Sequence, residues 1–144
     1  MRKYLIDTGV LTAYLTARPR IVSLIVSLIE PYILNNEAAT SILIYGEIDE
    51  YHRAKPDYQQ RKQVLLSLLN QILPLTPNIA IMERYAAIRR SLRPPHGPGL
   101  IGDIDTVIAA TALEHNLTMI TADSDFARVS GLKLLQVDRS WLKS

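Results

Sequence analysis

The stretch from Asp103 to Phe126, DIDTVIAATALEHNLTMITADSDF, decides how this chain is read. Two acids open it. A strongly apolar run follows, free of Gly and Pro, and is long enough only for a helix over 103–116. Leu117 to Thr121 is short, rich in β-branched residues, and reads as a strand. Asp123 and Asp125 lie just past its carboxyl end, with a short helix expected near Phe126. A buried helix, a strand and then acids describe one unit of an α/β protein.

Working outward, the same alternation recurs. Lys3 to Ile6 reads as a first strand ending at Asp7, and Val10 to Ala17 as a helix stopped by Pro19. Ile21 to Ile29 is an apolar run ambiguous between helix and strand. Tyr32 to Leu34 is expected as strand two, with Asn35-Asn36 capping a helix from about Ala38 to Ala54. Pro56 breaks that helix, and Asp57 caps another to about Ile72. Leu73 to Thr76 gives strand three, and Asn78 caps a helix through Arg93. Pro94 to Gly99 is a loop, with five breakers in PPHGPG. Lys133 to Val137 supplies the last strand. Strands alternating with helices predict a central parallel sheet of about five strands with helices on both faces. No repeat or boundary divides residues 1–144, so one domain is expected.

The chain has 144 residues and a mass of 16.2 kDa, ordinary for one domain. Apolar residues make up 48% and charged residues 21%, which excludes a disordered chain. There is no cysteine, so thiolate metal sites, disulfides and cysteine nucleophiles are excluded. The first ten residues lack the apolar core of a secretory signal. Ile21 to Ile29 is far shorter than the roughly 20 residues a bilayer requires. A soluble, cytoplasmic protein is expected. The three histidines are scattered, which argues against a histidine-ligated metal and a Ser-His-Asp triad.

Charge is unevenly placed. Glu50 to Arg93 holds eight Lys/Arg against three acids, whereas Pro94 to Ala127 holds no Lys or Arg at all. A basic middle beside an acidic region fits a polyanion held near a metal pocket, although basic helices also simply present solvated faces.

The acids themselves narrow the chemistry. In a parallel sheet the ligand site lies beyond the carboxyl ends of the strands, where Asp7 and Asp123 both fall. Each could instead cap the helix that follows it. Asp49 has Arg53 four residues on and reads as a surface pair. Glu47 has only Leu43, Ile44, Glu50 and Tyr51 at helical spacing, so it needs a metal, a hydrogen-bond network or solvent. Asp105 opens the apolar helix, where it or Asp103 could favour the helix dipole. Four carboxylates without cation partners repel one another, and a hard divalent cation resolves the conflict. Carboxylates with such a metal cleave phosphodiesters.

Three segments, YLIDTGVL, ILIYGEI and DIDTVIAATALEHNLTMITADSDF, resemble the PIN-domain ribonucleases, specifically the VapC-type toxins of toxin–antitoxin pairs. The likeness spans essentially the whole chain. It implies a PIN-like fold and an endoribonuclease dependent on Mg²⁺ or Mn²⁺ that cuts single-stranded or loop RNA. Matched residue by residue, it implies catalytic Asp7, Glu47, Asp105 and Asp123, with Asp7, Asp105 and Asp123 as metal ligands. Thr8, Thr121 and Asp125 match supporting positions. It further implies a small cognate antitoxin and a homodimer; the short apolar runs predict no membrane partner. Arg84, Arg89, Arg90 and Arg93 are candidate RNA contacts. A PIN-like module that binds RNA or protein without catalysis is the alternative. A haloacid-dehalogenase phosphatase would need an acid at position 9, which is Gly, and a receiver domain would need a late Lys where none occurs between Lys62 and Lys133.

Overall fold

The computed structural model describes residues 1–17 and 23–143. Within them, β1 (Tyr4–Ile6), β2 (Ala38–Ser41), β3 (Leu73–Leu75), β4 (Thr118–Thr121) and β5 (Leu134–Gln136) form one sheet in the order β3-β2-β1-β4-β5. Every neighbouring pair is parallel. The helices are α1 (Thr8–Ala17), α2 (Leu24–Leu34), α3 (Ile42–Arg53), α4 (Tyr58–Leu68), α5 (Ile79–Leu92) and α6 (Asp103–Glu114). Two short 3-10 turns follow, at Ser124–Arg128 and Arg139–Lys143. This is the expected α/β architecture.

The chain steps from β1 outward to β2 and β3, then returns through α5 and α6 to β4 on the far side of β1. Right-handed crossovers place α1–α4 on one face and α5–α6 on the other. Packing agrees, since α1 lies on α2 and α3, α3 on α4, and α5 on α6. The direction reverses between β1 and β4, so a crevice opens above their carboxyl ends. Leu5 and Ile6 in β1 and Met119 and Ile120 in β4 have no exposed surface, as central strands covered on both faces require. In α6, Ala109, Ala110 and Ala112 are buried and let the helix sit close to its neighbours. The hydroxyls of Thr106 and Thr111, also buried there, donate to Gly102 O and Val107 O at 2.7 and 2.8 Å.

Strand two is not where the sequence placed it. Tyr32–Leu34 completes α2, because Ile25, Ile29 and Ile33 keep one apolar face buried through Pro31. Asn35 and Asn36 end that helix instead of starting the next. Asn36 takes the left-handed conformation, with φ 57°, and Glu37 N donates back to Tyr32 O at 2.8 Å. The small residues of Ala38–Ser41, expected in a helix, form β2, buried throughout between β1 and β3. Ser41 is then the N-cap of α3, accepting from Leu43 N at 3.1 Å. The stop at Pro19 and the start of the Ile21 run lie outside the described residues.

The cap is testable. Ser41→Ala removes the only side-chain acceptor at the start of α3 and is expected to cost about 1 kcal/mol in a urea titration. An unchanged midpoint would show that α3 does not rely on it.

Candidate active site

The carboxyl edge of β1 and β4 gathers acids from four elements. Asp7 follows β1 and Asp123 follows β4, while Glu47 comes from α3 and Asp105 from the first turn of α6. All four line one cleft of about 380 Å³ with Thr8, Gly9, Ala122, Arg139 and Leu142.

Hydrogen bonds hold three of the four in place. Asp7 is buried, with Oδ1 accepting from Thr8 N at 2.8 Å and Oδ2 from Thr121 Oγ1 at 2.7 Å. Thr121 Oγ1 in turn accepts from Asp123 N at 3.0 Å. One buried hydroxyl thus links the ends of both central strands. Thr8 Oγ1 donates to Glu47 Oε1 at 2.6 Å, supplying the network that Glu47 lacked in the sequence. Asp123 Oδ1 accepts from Asp125 N at 2.9 Å, so it caps the turn that follows and still lines the cleft. Asp105 has no hydrogen-bond partner among the described residues.

These surroundings set the protonation. Asp105 is pushed up to about 6 by partial burial first, then by the charges of Asp7, Asp123, Glu47 and Asp125. Burial also raises Asp7, and the bonds from Thr121 and Thr8 oppose the rise. The donor set is all oxygen and its negative charge is largely uncompensated, which is what a hard divalent cation requires. Among the described residues no three His, Asp or Glu side chains are drawn together as a ready-made chelate. Mg²⁺ commonly takes one or two carboxylates and completes its shell with water and substrate oxygen, so the residues fit that ion.

The remaining acids of the region are neutralised elsewhere. Arg89 pairs with Asp103, Arg84 with Glu114 at 2.7 Å, and Arg128 with Asp125 at 3.4 Å. Two of the four candidate RNA-contacting arginines therefore join α5 to α6. Arg90 and Arg93 are exposed and have no ion-pair partner among the described residues. Arg53 pairs with Asp49 at 2.9 Å, as its spacing predicted. Sequence reasoning missed Arg139, because the turn Arg139–Lys143 follows the last strand and carries no periodicity. The available signal was Asp138, whose Oδ1 accepts from Ser140 N at 2.8 Å and starts that turn.

A doubly wound sheet with an acid-lined cleft at its switch point defines a class of proteins that act on ligands through clustered carboxylates. Residues 4–132 match the PIN domain family model, and the chain belongs to that family. Ribonuclease VapC1 of Haemophilus influenzae (strain R2866) is 28% identical over 131 residues, covering 90% of this chain and 94% of the relative. VapBC2 from Rickettsia felis, solved with a DNA fragment from its promoter, has a similar fold: TM-score 0.80, 21% identity, coverage 94% of this chain and 98% of that one. FitAcB from Neisseria gonorrhoeae is similar at TM-score 0.73 and 24% identity, with coverage of 92% and 96%.

The charge crowding gives a signed prediction for protein in EDTA. Asp105 holds its proton more tightly folded than unfolded, so ionising it destabilises the fold as pH rises from about 4 to about 7. Asp105→Asn removes that loss. Its melting temperature should exceed that of wild type by a margin that widens with pH, to a few degrees at neutrality. His52, buried with a lowered pKa, acts in the opposite sense but equally in both proteins, and so cancels in the difference. A margin that stays constant or shrinks with pH would remove Asp105 from the crowded set.

Proposed function

We propose that this protein is a metal-dependent endoribonuclease that cuts single-stranded or loop RNA and serves as the toxin of a toxin–antitoxin pair. One observation carries the reading: four carboxylates from separate elements share one cleft while the neighbouring acids are neutralised by arginines. The curated relative is named a ribonuclease, and the structural neighbours include a toxin–antitoxin complex from Klebsiella pneumoniae. On this reading residues 1–144 form a single PIN domain that acts in the cytoplasm, pairs as a homodimer and is held by a small cognate antitoxin. No helix among the described residues is long and apolar enough to cross a membrane.

Asp7, Asp105 and Asp123 would hold Mg²⁺ or Mn²⁺, with Glu47 beside them. When bound, the ion supplies Lewis acidity toward water and the phosphodiester. The chain's own groups provide the geometry. Thr121 Oγ1 directs its proton to Asp7 Oδ2, fixing that carboxylate against rotation. Thr8 Oγ1 does the same for Glu47 Oε1. Asp125 supports Asp123 through its backbone amide, and its own carboxylate is taken by Arg128. Arg90 and Arg93 are free to meet RNA phosphates. Splayed loop nucleotides can enter a cleft that a stacked duplex cannot.

Purified protein should cleave RNA with Mg²⁺ or Mn²⁺ and stop in EDTA. Asp7→Asn and Asp105→Asn should each lower the rate at least about 100-fold. Cleavage by both variants at the wild-type rate would overturn the assignment. RNA binding without cleavage by wild type would favour a non-catalytic module.

A further inference from the structure

The acid cleft does not end at the acids. A second hollow shares Thr8, Gly9 and Leu142 with it and continues past Thr12, Ala13 and Thr16 to Tyr51. Gly9, Thr12, Ala13 and Thr16 stand at i, i+3, i+4 and i+7 of α1, so they form one helical face. Their side chains are small and largely hydroxylic, which leaves a trough about 10 Å long, sized for a nucleotide or two. The turn Arg139–Lys143 packs on α1 and α2 and walls both hollows. Leu142 lies 3.6 Å from where a Cβ on Gly9 would stand.

The two ends of this path carry different chemistry. Arg139 is the one cation among the residues lining the acid cleft. It is exposed and makes no ion pair with any described residue, although four carboxylates line the same cleft. Its backbone is fixed by Trp141 N donating to Asp138 O at 3.0 Å. At the far end Tyr51 is 49% exposed, with Lys55 Nζ 4.6 Å from its ring centre. Lys55 Nζ stands over one face of this ring, so a base would stack on the opposite face or displace the ammonium, which then serves an adjacent phosphate as counter-charge. Arg139 lies outside residues 4–132, the stretch that matches the family model.

We propose that this groove is a nucleotide subsite, in which Arg139 holds a phosphate of the RNA strand at the rim of the acid cleft and Tyr51 stacks on the neighbouring base. The proposal rests on the nuclease reading and adds the direction in which the strand leaves the site. A guanidinium suits the first role because it grips two phosphate oxygens at once and stays charged.

The test uses a short fluorescent single-stranded oligoribonucleotide, with Asp105→Asn in every protein to hold back cleavage. Arg139→Gln should reduce the slope of log affinity against log salt by about 0.7, the value for one lost phosphate contact on a single strand. Tyr51→Ala should weaken binding about 5- to 100-fold, and Tyr51→Phe should restore it. Because both side chains are exposed, the variants should fold, and matching melting curves verify that. An unchanged salt slope or unchanged Tyr51→Ala affinity overturns the subsite while leaving the nuclease reading intact. Loss of binding to a protein partner with RNA affinity unaltered also overturns it, and gives the groove to that partner. If the chain carrying only Asp105→Asn binds no RNA and wild type cuts none, the nuclease reading fails and the subsite fails with it.

Discussion

The buried bond from Thr121 Oγ1 to Asp7 Oδ2 joins the ends of β1 and β4, the neighbours between which the strand order reverses. It is short, charge-assisted and shielded from water, the circumstances in which a hydrogen bond contributes most. The backbone supports it from beneath, since Asp7 N donates to Ile120 O at 3.0 Å and sets the register of the strand ends. From that point the cleft assembles outward. Thr8 follows Asp7 and reaches Glu47, and Asp123 follows Thr121 and starts the next turn. An acid in so buried a position is tolerated because both its oxygens are satisfied by the elements it holds together.

Charge in this molecule is sorted into two populations. Arginines on α5 take up Asp103 and Glu114 of α6, and Arg128 takes up Asp125. Exposed pairs of this kind contribute at most about 1 kcal/mol each, so stability is a minor part of their effect. Their larger consequence is local: next to the cleft, Asp103, Glu114 and Asp125 are compensated, while the acids lining it are not. The contrast within one helical turn is sharp: Asp103 faces Arg89 in solvent, while Asp105, two residues on, faces other carboxylates.

The sequence revealed the acids better than their supports. Asp7 and Asp123 were visible because an acid just past a strand has a defined position in a parallel sheet. Asp105 was visible because everything after it in the helix is apolar. The second strand was misplaced because Ala38–Ser41 carries none of the large apolar residues that mark the other inner strands, β1 and β4. Asn36 and Asn116 do the same work at the ends of α2 and α6, each in the left-handed conformation, with φ 57° and 54°. At Asn116 the long apolar run before it marked a helix, whereas before Asn36 the short run Ile21 to Ile29 was ambiguous between helix and strand. Arg139 and the groove along α1 arise only when distant segments fold together, and no local pattern announces them.

Crowding like charges in the cleft also shapes how this protein can drift. Most positions in a fold resist change because change costs stability. Here the gradient is expected to reverse: burial and neighbouring carboxylates raise Asp105, so replacing it with Asn should favour the folded chain. On the proposed reading, the step from nuclease to inert scaffold should cost no folding energy, and it is a single nucleotide change long, since Asp and Asn codons differ at one base. On that reading, selection on activity is what would hold the acids in place, and a lineage freed from it would lose them before it lost the fold.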